Sequence, residues 1–565
     1  MIQRLVSTRI VLLALTSTLS LNGTAKAQTG ASDVPPAQID ALFAAWNKPD
    51  SPGCSIGVMS RGELVFAKGY GLSDVEHGTP LSPDTVFDIA SMTKQFTGAA
   101  IGLLTLEQEV ELTDDIRAEF PELPIDVPLT INDLLHHTSG LRDYAELNQL
   151  RGMEATDNNG VLTLLARQKT LNFPTGSESA YSNSNYVVLA ELVQRTTGKP
   201  LAAFAQERIF GPLRMNSTRY GGRIQDDPAN LANSYVPSAS GEFVPITRES
   251  QSVGDGNLLT TVRDLALWDE NFYSNRVGGE ELAHMMRTPA TLTNGQQVPY
   301  GFGLMFGNYR GLPTEAHGGS YHGFRTELLR FPQQRFSVAV LCNVASANAS
   351  SLAAQVADLY LADALDPLPS ADAEPVEVQI DPRIFDAYEG EYAIDNNGQP
   401  IVMTFKREGE RFFLQPAGQP QIEIFAMSDT EFFIKVAPGR IIAFQQDADG
   451  TVNGVTLRRP QGDLIGKRIV AAPAFAQPPS ELAGVYFNDE IDAELHIAVL
   501  DARLFVSNSS GGARTPLAQR SETSFSLPGG ATLEFASGAD GKISGFEYSS
   551  SRVRGLKFMH RAQPE

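Results

Sequence analysis

Hydrophobic periodicity divides the chain into two parts. In the first 365 residues, strand-like runs enclose longer runs with helical period. Strand-like runs come early and late, at Ser55–Met59, Glu63–Lys68, Gly301–Phe306, Glu315–Tyr321, Arg325–Phe331 and Phe336–Asn343. The helical runs between them are Thr93–Leu106, Asn185–Thr196 and Val262–Phe272. This order predicts a mostly antiparallel sheet closed by both ends of the segment, with helices packed on it, an α/β (α+β) domain.

Beyond residue 365 the helical period disappears. Asp366–Glu377 is rich in proline, alanine and acids, which predicts a linker. Short alternating strands follow, and their pattern repeats, since Gly390-Glu391-Tyr392 recurs as Gly484-Val485-Tyr486. A second Pro/Ala run at residues 471–480 separates the copies. We predict two small all-β barrels of about eight strands each, over 378–470 and 481–565. The alternative is two halves of one larger barrel.

The first residues have the pattern of an export signal. Arg4 and Arg9 give a basic start, residues 10–21 are mostly apolar, and Ala25-Lys26-Ala27 is a small-x-small cleavage site. The apolar run is shorter than the roughly 20 residues needed to span a bilayer. We therefore predict a cleaved signal peptide over residues 1–27 and a periplasmic or secreted protein, with an uncleaved anchor as the alternative.

Composition narrows the possible partners. The formal net charge of −22 repels nucleic acid and anionic lipid, so neither is an expected partner. The cysteines are Cys54 and Cys342, each in a strand-like run and without metal-ligand spacing. In an exported protein they can form a disulfide, and two buried free thiols in neighbouring strands are the alternative.

The first candidate for chemistry is the sequence Ser91-Met92-Thr93-Lys94 at the start of a helical run. Three residues on, Lys94 lies on the same helix face as Ser91. A serine hydroxyl attacks a carbonyl only when a base takes its proton, and a neighbouring lysine supplies that base. The helix N-terminus adds N–H groups for a developing oxyanion. This spacing predicts a nucleophile with its partner.

Two further motifs contain groups that could assist an attack by Ser91 on a carbonyl. Tyr181-Ser182-Asn183 offers a phenol to shuttle protons and an amide to hold Lys94 and bind a substrate carbonyl. His317-Gly318-Gly319-Ser320 enters a strand, where adjacent glycines let substrate approach the backbone. His317 is a candidate for completing the proton network or for binding a substrate carboxylate. The N–H groups near Ser320 and of Ser91 are candidates for an oxyanion hole.

Taken in this order, the motifs resemble those of the penicillin-binding-protein and class C β-lactamase superfamily of serine hydrolases. The resemblance covers residues 87–343, including Leu134–Leu141, which is similar to that branch's L-L-x-H-T-S-G-L segment. It also includes the glycine loop Gly254–Leu258 and the helix start Thr261–Leu265. The pair His136-His137 lacks a third ligand at useful spacing and is interpreted as turn and packing residues. The resemblance implies a catalytic domain over residues 28–365.

One departure from the family pattern changes the expected substrate class. Class C β-lactamases carry K-T-G where this chain has His317-Gly318-Gly319, which looks like the D-aminopeptidases and some esterases of the superfamily. The D-aminopeptidases also append two eight-stranded barrels, and a loop of the last barrel brings an acidic residue to the substrate amine. The glycine-rich candidate for that loop, Ser507–Arg514, contains no acid and ends in an arginine.

The resulting hypothesis is an exported serine hydrolase that forms an acyl-enzyme on Ser91. The preferred substrate is a short peptide, with D- or unusual residues or a linearised cyclic peptide as narrower versions. Esterase, β-lactamase and a penicillin-binding protein without turnover are the alternatives. The implied mechanism needs no metal or organic cofactor.

Overall fold

The computed structural model describes residues 34–561, except for short segments. These are 154–156, 222–229, 239–240, 248–250, 368–375, 397–398, 417–420, 438, 448–449, 460–462, 470–479, 501–502, 509–513 and 528–529. The predicted signal peptide and most of both predicted linkers lie outside the described residues, so the proposed domain boundaries stay predictions. Among the described helices, none combines the length and apolar character that a bilayer crossing requires.

The described strands of the first segment form one main antiparallel sheet and three small ones. The strands are β1 Cys54–Ser60, β2 Glu63–Tyr70, β3 Leu72–Asp74, β4 Thr79–Pro80, β5 Phe87–Asp88, β6 Arg219–Tyr220, β7 Ser234–Pro237, β8 Phe243–Ile246, β9 Leu258–Thr260, β10 Met305–Tyr309, β11 Leu312–Tyr321, β12 Phe324–Phe331 and β13 Phe336–Cys342. The small sheets are β3-β4, β5-β9-β6 and β7-β8. The main sheet has the order β10-β11-β12-β13-β1-β2. Its first and last strands in the chain meet at β1 and β13, which confirms the prediction of a sheet closed by both ends of the segment.

The helices lie between and after these strands. They are α1 Pro36–Leu42, α2 Lys94–Leu106, α3 Ile131–Leu135, α4 Tyr144–Arg151, α5 Asn158–Leu165, α6 Asn183–Thr197, α7 Leu201–Ala205, α8 Gly211–Leu213, α9 Val262–Ser274, α10 Gly279–Met286 and α11 Ala349–Tyr360. The predicted strand Gly301–Phe306 is displaced, because Gly301 begins a turn whose N–H bonds to the Leu304 carbonyl before β10 starts.

Alternating side chains give the sheet two buried faces. On β13, Val338 and Val340 pack with Ile39 of α1 and Val356 of α11 in one apolar cluster. Leu341 faces the other way into a cluster that contains helices α2, α6 and α9. Because both faces are covered, strands β1 and β13 are buried throughout and appear in the sequence as continuous apolar runs.

A disulfide joins the two cysteines across neighbouring strands. Cys54 and Cys342 are directly opposite each other in the β1–β13 register, and their sulfurs are bonded. The sequence left a disulfide and two free thiols as alternatives, and the structure has the disulfide.

The second part of the chain forms two separate β-structures. Strands β14 Gly390–Asn396, β15 Gln399–Glu408, β16 Arg411–Pro416, β17 Ile422–Ala426, β18 Glu431–Phe433, β19 Ile441–Gln446, β20 Val452–Arg458 and β21 Leu464–Ile469 make a closed barrel. Strands β22 Gly484–Asn488, β23 Ala493–Leu500, β24 Arg503–Asn508, β25 Thr515–Pro516, β26 Ala518–Gln519, β27 Ser524–Ser526, β28 Thr532–Ser537, β29 Ile543–Ser549 and β30 Leu556–Arg561 make a second sheet. The two edges of this sheet, β25 and β26, are separated only by Leu517, so it is a nearly closed barrel.

The predicted repeat is visible in matching contacts. Tyr392 of the first barrel donates a hydrogen bond to the Tyr388 carbonyl at 3.0 Å, and Tyr486 of the second donates to the Leu482 carbonyl at 2.8 Å. Each tyrosine thus ties its first strand to the turn four residues earlier. Two copies of one module are confirmed, and the alternative of a single larger barrel is wrong.

The second barrel packs on the first segment. Its buried side chains belong to the same apolar cluster as helices α2, α6 and α9, whereas the first barrel has its own core. At the contact, Arg142 forms a buried ion pair with Glu490 at 2.7 Å, with both side chains at most 8% exposed. The second barrel therefore lies against the helical side of the first segment.

Candidate active site

Ser91 lies in a tight turn that hydrogen bonds with two strands hold in place. The turn is a 3₁₀ helix, Ala90–Thr93, and Lys94 begins α2 directly after it. Ala90, just before the serine, has φ +48°, a strained value for a residue with a Cβ. Ile89 is held by a hydrogen bond from its N–H to the Leu258 carbonyl of β9 and by one from Thr326 of β12 to its carbonyl. Hydrogen bonds with β9 and β12 therefore hold the strained turn in place. Ser91 itself is partly exposed.

Lys94 is a fully buried ammonium with three acceptors. Its Nζ donates to Ser91 Oγ at 3.2 Å, to Asn183 Oδ1 at 2.8 Å and to the Asp255 carbonyl at 2.8 Å. Three is the number of N–H groups an ammonium has, so this cation has no donor left for a substrate. The sequence-predicted pair thus meets at the predicted positions.

Asn183 is fixed at the first turn of α6. Both its backbone N–H and its Nδ2 donate to Asp143 Oδ2, at 2.7 and 3.0 Å. Asp143 is fully buried and also caps α4 through its other oxygen. This leaves Asn183 Oδ1 facing Lys94, as the sequence predicted. Asp143 itself was missed, since a lone Leu-Arg-Asp sequence gives no signal.

Tyr181 is enclosed by rings and cations. Its ring packs on His137 with centroids 4.4 Å apart. Lys94 Nζ lies 4.8 Å from the ring centroid, and the Arg552 guanidinium, from the second barrel, lies 5.3 Å away. Among the described residues, its buried hydroxyl has no hydrogen-bond partner. A phenol with a free hydroxyl, next to the Lys94 nitrogen that donates to Ser91, is placed to exchange a proton with substrate.

His317 is buried and neutral. Its Nδ1 lies 2.7 Å from the Gly318 carbonyl, which only accepts, so Nδ1 carries the proton. Nε2 then accepts from the Tyr300 hydroxyl at 3.0 Å. Burial, helped by the Lys94 charge, lowers the pKa of His317 to about 3. Between the two predicted roles, a neutral ring with both nitrogens occupied favours the hydrogen-bond network over carboxylate binding.

The glycines of β11 let that strand lie against the nucleophile turn. A Cβ at Gly319 would be 2.2 Å from the Ile89 carbonyl oxygen and 3.1 Å from the Ala90 Cβ. A Cβ at Gly318 would be 2.8 Å from Glu327 Oε2 on the other face. Ser320 follows with an exposed side chain, one residue beyond this contact. The strand backbone near Ser320 is thus next to Ser91, as the predicted oxyanion hole requires.

The glycine loop before β9 provides one of the three hydrogen-bond acceptors of Lys94. Gly254 has φ +111°, and a Cβ there would be 2.4 Å from the Tyr186 carbonyl oxygen. The next carbonyl, of Asp255, accepts from Lys94. Burial raises the pKa of the Asp255 carboxyl, which accepts a hydrogen bond from Tyr144 at 3.0 Å. The loop therefore needs glycine at 254 for conformation and for close packing.

The histidine pair supports the site through hydrogen bonds and ring packing. His136 faces the carbonyls of Asn132 and Thr288, and His137 Nδ1 accepts from the Ser182 N–H at 3.2 Å. Burial lowers the pKa of His137 well below 6.5. In the described part of the chain, no cluster of three histidine, cysteine, aspartate or glutamate side chains is arranged to hold a metal ion. His137 does more than the predicted packing, since its ring supports Tyr181.

A loop of the second barrel does reach the site, and it is a different loop from the predicted one. Most of the glycine-rich candidate, at 509–513, lies outside the described residues. The segment between β29 and β30 carries Arg552 to Tyr181, with Arg552 Nη1 3.9 Å from Asp143 Oδ2. No local pattern predicts this contact, because positions 181 and 552 are brought together only by the packing of the second barrel on the first segment.

Comparisons with known proteins agree with this geometry. A family model described as Beta-lactamase matches residues 39–362. A D-aminopeptidase of Brucella anthropi is 28% identical over 451 residues, covering 79% of this chain and 80% of that protein. A D-aminopeptidase of Brucella canis is 30% identical over 341 residues, covering 60% of this chain and 63% of that protein.

Among solved structures, the octameric penicillin-binding protein homologue from Pyrococcus abyssi has the same fold. The match covers 76% of this chain and 98% of that one, with a TM-score of 0.55 and 23% sequence identity. The family match spans more than half of the chain and contains the Ser91 turn, the Tyr181 segment and strand β11. The chain therefore belongs to the Beta-lactamase family and is a serine hydrolase.

Proposed function

We propose that this serine hydrolase cleaves short peptides through an acyl-enzyme on Ser91. The observation that carries the proposal is the hydrogen bond from Lys94 to Ser91, with Asn183 and the Asp255 carbonyl taking the other two donors. That arrangement fixes the Lys94 nitrogen beside the serine oxygen. A nucleophile with a positioned partner is what acyl transfer requires.

In the first step, Ser91 Oγ attacks the substrate carbonyl and its proton passes to the Tyr181 oxygen as Tyr181 releases its own proton towards the leaving nitrogen, while the three hydrogen bonds of Lys94 keep its charge beside Ser91 Oγ. The carbonyl oxygen becomes an oxyanion, bound by the N–H of Ser91 and the N–H near Ser320. The Tyr181 hydroxyl, free in the structure, gives a proton to the leaving amine. Water, activated by the same groups, then releases the acid and restores Ser91.

His317 takes a supporting place in this scheme. Because Tyr300 donates to its Nε2 and the Gly318 carbonyl accepts from its Nδ1, the ring links β11 to the aromatic cluster around Tyr181. It shapes the pocket and brings no positive charge. Gly318 and Gly319 leave room for the substrate backbone along β11.

The peptidase assignment draws on the relatives. Two of them are named D-aminopeptidases, and they match over large parts of this chain. We extend the proposal to export, supported by the predicted signal peptide and by the Cys54–Cys342 disulfide, since disulfides persist mainly in oxidising compartments. A periplasmic or secreted peptidase is the resulting proposal.

Turnover on a substrate panel tests the proposal. The panel contains D- and L-aminoacyl 4-nitroanilides with free and with blocked amines, short acyl esters and a chromogenic cephalosporin. We expect anilide hydrolysis by the wild type, none by Ser91→Ala, and a loss of kcat of about 10²–10⁴-fold in Tyr181→Phe.

The alternatives give different results on the same panel. Ester turnover without anilide turnover indicates an esterase, and cephalosporin turnover indicates a β-lactamase. A single burst without steady product release indicates acylation only. Hydrolysis that survives in Ser91→Ala contradicts the nucleophile, and equal rates on blocked and free amines contradict an aminopeptidase.

A further inference from the structure

The segment between β29 and β30 is fixed on the rim of the active site. Its Arg552 carbonyl accepts from the Asp143 N–H at 3.2 Å and from Asn172 Nδ2 at 2.7 Å. The Arg554 N–H donates back to Asn172 Oδ1 at 2.8 Å. Inside the segment, Ser550 Oγ accepts from the N–H of Arg552. The backbone that carries Arg552 is therefore held by both domains.

The Arg552 side chain differs from the other arginines of this contact. Within the described residues its guanidinium makes no hydrogen bond, and its closest carboxylate oxygen is that of Asp143 at 3.9 Å. The side chain is 27% exposed. By contrast, Arg142 is fully paired with Glu490 and neighbours, and Arg554 donates to Glu178 at 2.9 Å. Arg552 thus keeps its five donors beside Tyr181.

The acidic groups around Arg552 do not use those donors. Asp143 already accepts from Asn183 twice and caps α4 through its other oxygen. Glu146 accepts a hydrogen bond from Tyr548 at 2.7 Å, and burial raises its pKa. These carboxyls offset the charge of the guanidinium from a distance. They leave its N–H groups free for a ligand.

Neither Lys94 nor His317, which also lie at Tyr181, has an N–H available for an anion. The three N–H groups of Lys94 donate to Ser91, Asn183 and the Asp255 carbonyl. His317 has both ring nitrogens occupied. A planar guanidinium suits a carboxylate, because two parallel N–H groups match two oxygens.

We propose that Arg552, supplied by the last barrel, binds a carboxylate on the leaving-group side of the substrate. The side follows from the proposed function, on which this inference rests, because Tyr181 gives its proton to the leaving amine. The substrate class is a short peptide whose C-terminal residue, with its free carboxylate, is the leaving group. The last barrel then selects the substrate instead of only packing on the catalytic domain.

Paired chromogenic substrates test the inference. An aminoacyl 4-nitroanilide and the same aminoacyl 3-carboxy-4-nitroanilide differ by one carboxylate on the leaving group. We measure the ratio of their kcat/KM values in the wild type, Arg552→Gln, Arg552→Lys and the control Arg554→Gln, which removes a charge from the same loop. Thermal unfolding checks that each variant is folded.

We expect the wild type to favour the carboxylated substrate by about tenfold or more, mainly through KM. Arg552→Gln lowers that ratio about tenfold, Arg552→Lys gives an intermediate ratio because it lacks the planar fork, and Arg554→Gln keeps the wild-type ratio. An unchanged ratio in Arg552→Gln overturns the inference. So does an equal loss on both substrates, which would mean that Arg552 acts through Tyr181.

A binding measurement separates this inference from the proposed function. Calorimetry of Ser91→Ala with an alanyl dipeptide, as free acid and as C-terminal amide, requires no turnover. Tighter binding of the acid that disappears in Ser91→Ala/Arg552→Gln supports the inference even if the wild type cleaves no peptide. Equal binding of acid and amide overturns it even if peptides are cleaved.

Discussion

At the scale of single residues, the site depends on how a buried ammonium is satisfied. A charged group away from water is stable only when its hydrogen bonds are made, and Lys94 makes them with a side-chain hydroxyl, an amide and a carbonyl from three segments. Each acceptor is held by a further contact, such as Asp143 behind Asn183. The position of Lys94 beside Ser91, the proposed nucleophile, therefore depends on a second layer of residues such as Asp143.

Asn183→Asp tests this arrangement. The amide now donates Nδ2 to Asp143 and offers Oδ1 to Lys94, whereas a carboxylate would set two buried acids against each other. We expect kcat to fall about a hundredfold through misplacement of Lys94. Asn183→Ala, which removes the amide without adding charge, should be less destabilised in urea. Equal unfolding midpoints for the two variants would contradict the role of Asp143.

Glu327 gives a pH prediction. This buried carboxyl accepts a hydrogen bond from Ser350, and burial raises its pKa from 4.5 to about 7. Between these pH values the folded protein keeps a proton that the unfolded chain releases, so this group lowers stability as pH rises. Glu327→Gln removes the titration. We expect a higher free energy of unfolding than wild type at pH 8, by up to about 3 kcal/mol, and little difference at pH 4.

The measurement is urea unfolding of both proteins across that pH range. The pKa of His317 is shifted in the opposite direction, from 6.5 to about 3. Below pH 6.5 the unfolded chain therefore binds a proton that the folded protein does not, and stability falls as pH falls. Because both proteins contain His317, its contribution cancels in the difference. A difference that does not change with pH would exclude the Glu327 titration.

At the scale of elements, strand β11 can lie close to the turn that carries Ser91 because its glycines have no side chains at the contact. Gly319 lies where any Cβ would clash with the Ile89 carbonyl. The Ala90 turn is strained, and the hydrogen bonds from β9 and β12 hold it. The elements therefore form the pocket by backbone packing, and the side chains of Lys94 and Tyr181 complete it.

The disulfide between β1 and β13 gives a prediction at this scale. It joins positions 288 residues apart in the chain and so closes a very long loop in the unfolded state. We expect the double variant Cys54→Ser/Cys342→Ser to lose about 2–5 kcal/mol of unfolding free energy. Dithiothreitol should destabilise the wild type by a similar amount and leave the double variant unchanged. A wild-type midpoint that does not respond to reductant would contradict the prediction.

At the scale of the whole molecule, the two barrels have unequal relations to the catalytic domain. The first has a core of its own, whereas the second shares an apolar cluster with the catalytic helices and sends a loop to Tyr181. The repeat in sequence therefore does not mean a repeat in role. The copy that follows later in the chain is the one at the active site.

Glu490 and Asp489 form a matched test of that interface. Glu490 is paired with the fully buried Arg142, while Asp489, one residue before it, pairs with the exposed Lys169. Glu490→Ala leaves a buried guanidinium without its carboxylate, and we expect a loss of about 3–5 kcal/mol in urea unfolding. Asp489→Ala should cost less than about 1 kcal/mol. Similar losses in both variants would mean that the interface is not held by the buried pair.

Local patterns in the sequence predicted much of the fold and the centre of the site. Helical and strand periods gave α2, α6, α9 and most strands of the sheet, because those patterns depend on neighbours in the chain. The S-x-x-K spacing placed Ser91 and Lys94 on one face, and the recurring Gly-x-Tyr indicated the two barrels. The displaced start of β10 shows where a local pattern is insufficient, since a turn at Gly301 replaces its first residues.

From the sequence alone, the Ser91–Lys94 pair, most helices and strands and the family resemblance could be predicted. Only the folded chain shows which residues surround that pair: Asp143 behind Asn183, Tyr300 on His317, and Arg552 beside Tyr181. It also shows that the cysteines are bonded and that burial lowers the pKa of His317. These outcomes depend on burial and on distances between distant segments, which no spacing along the chain encodes.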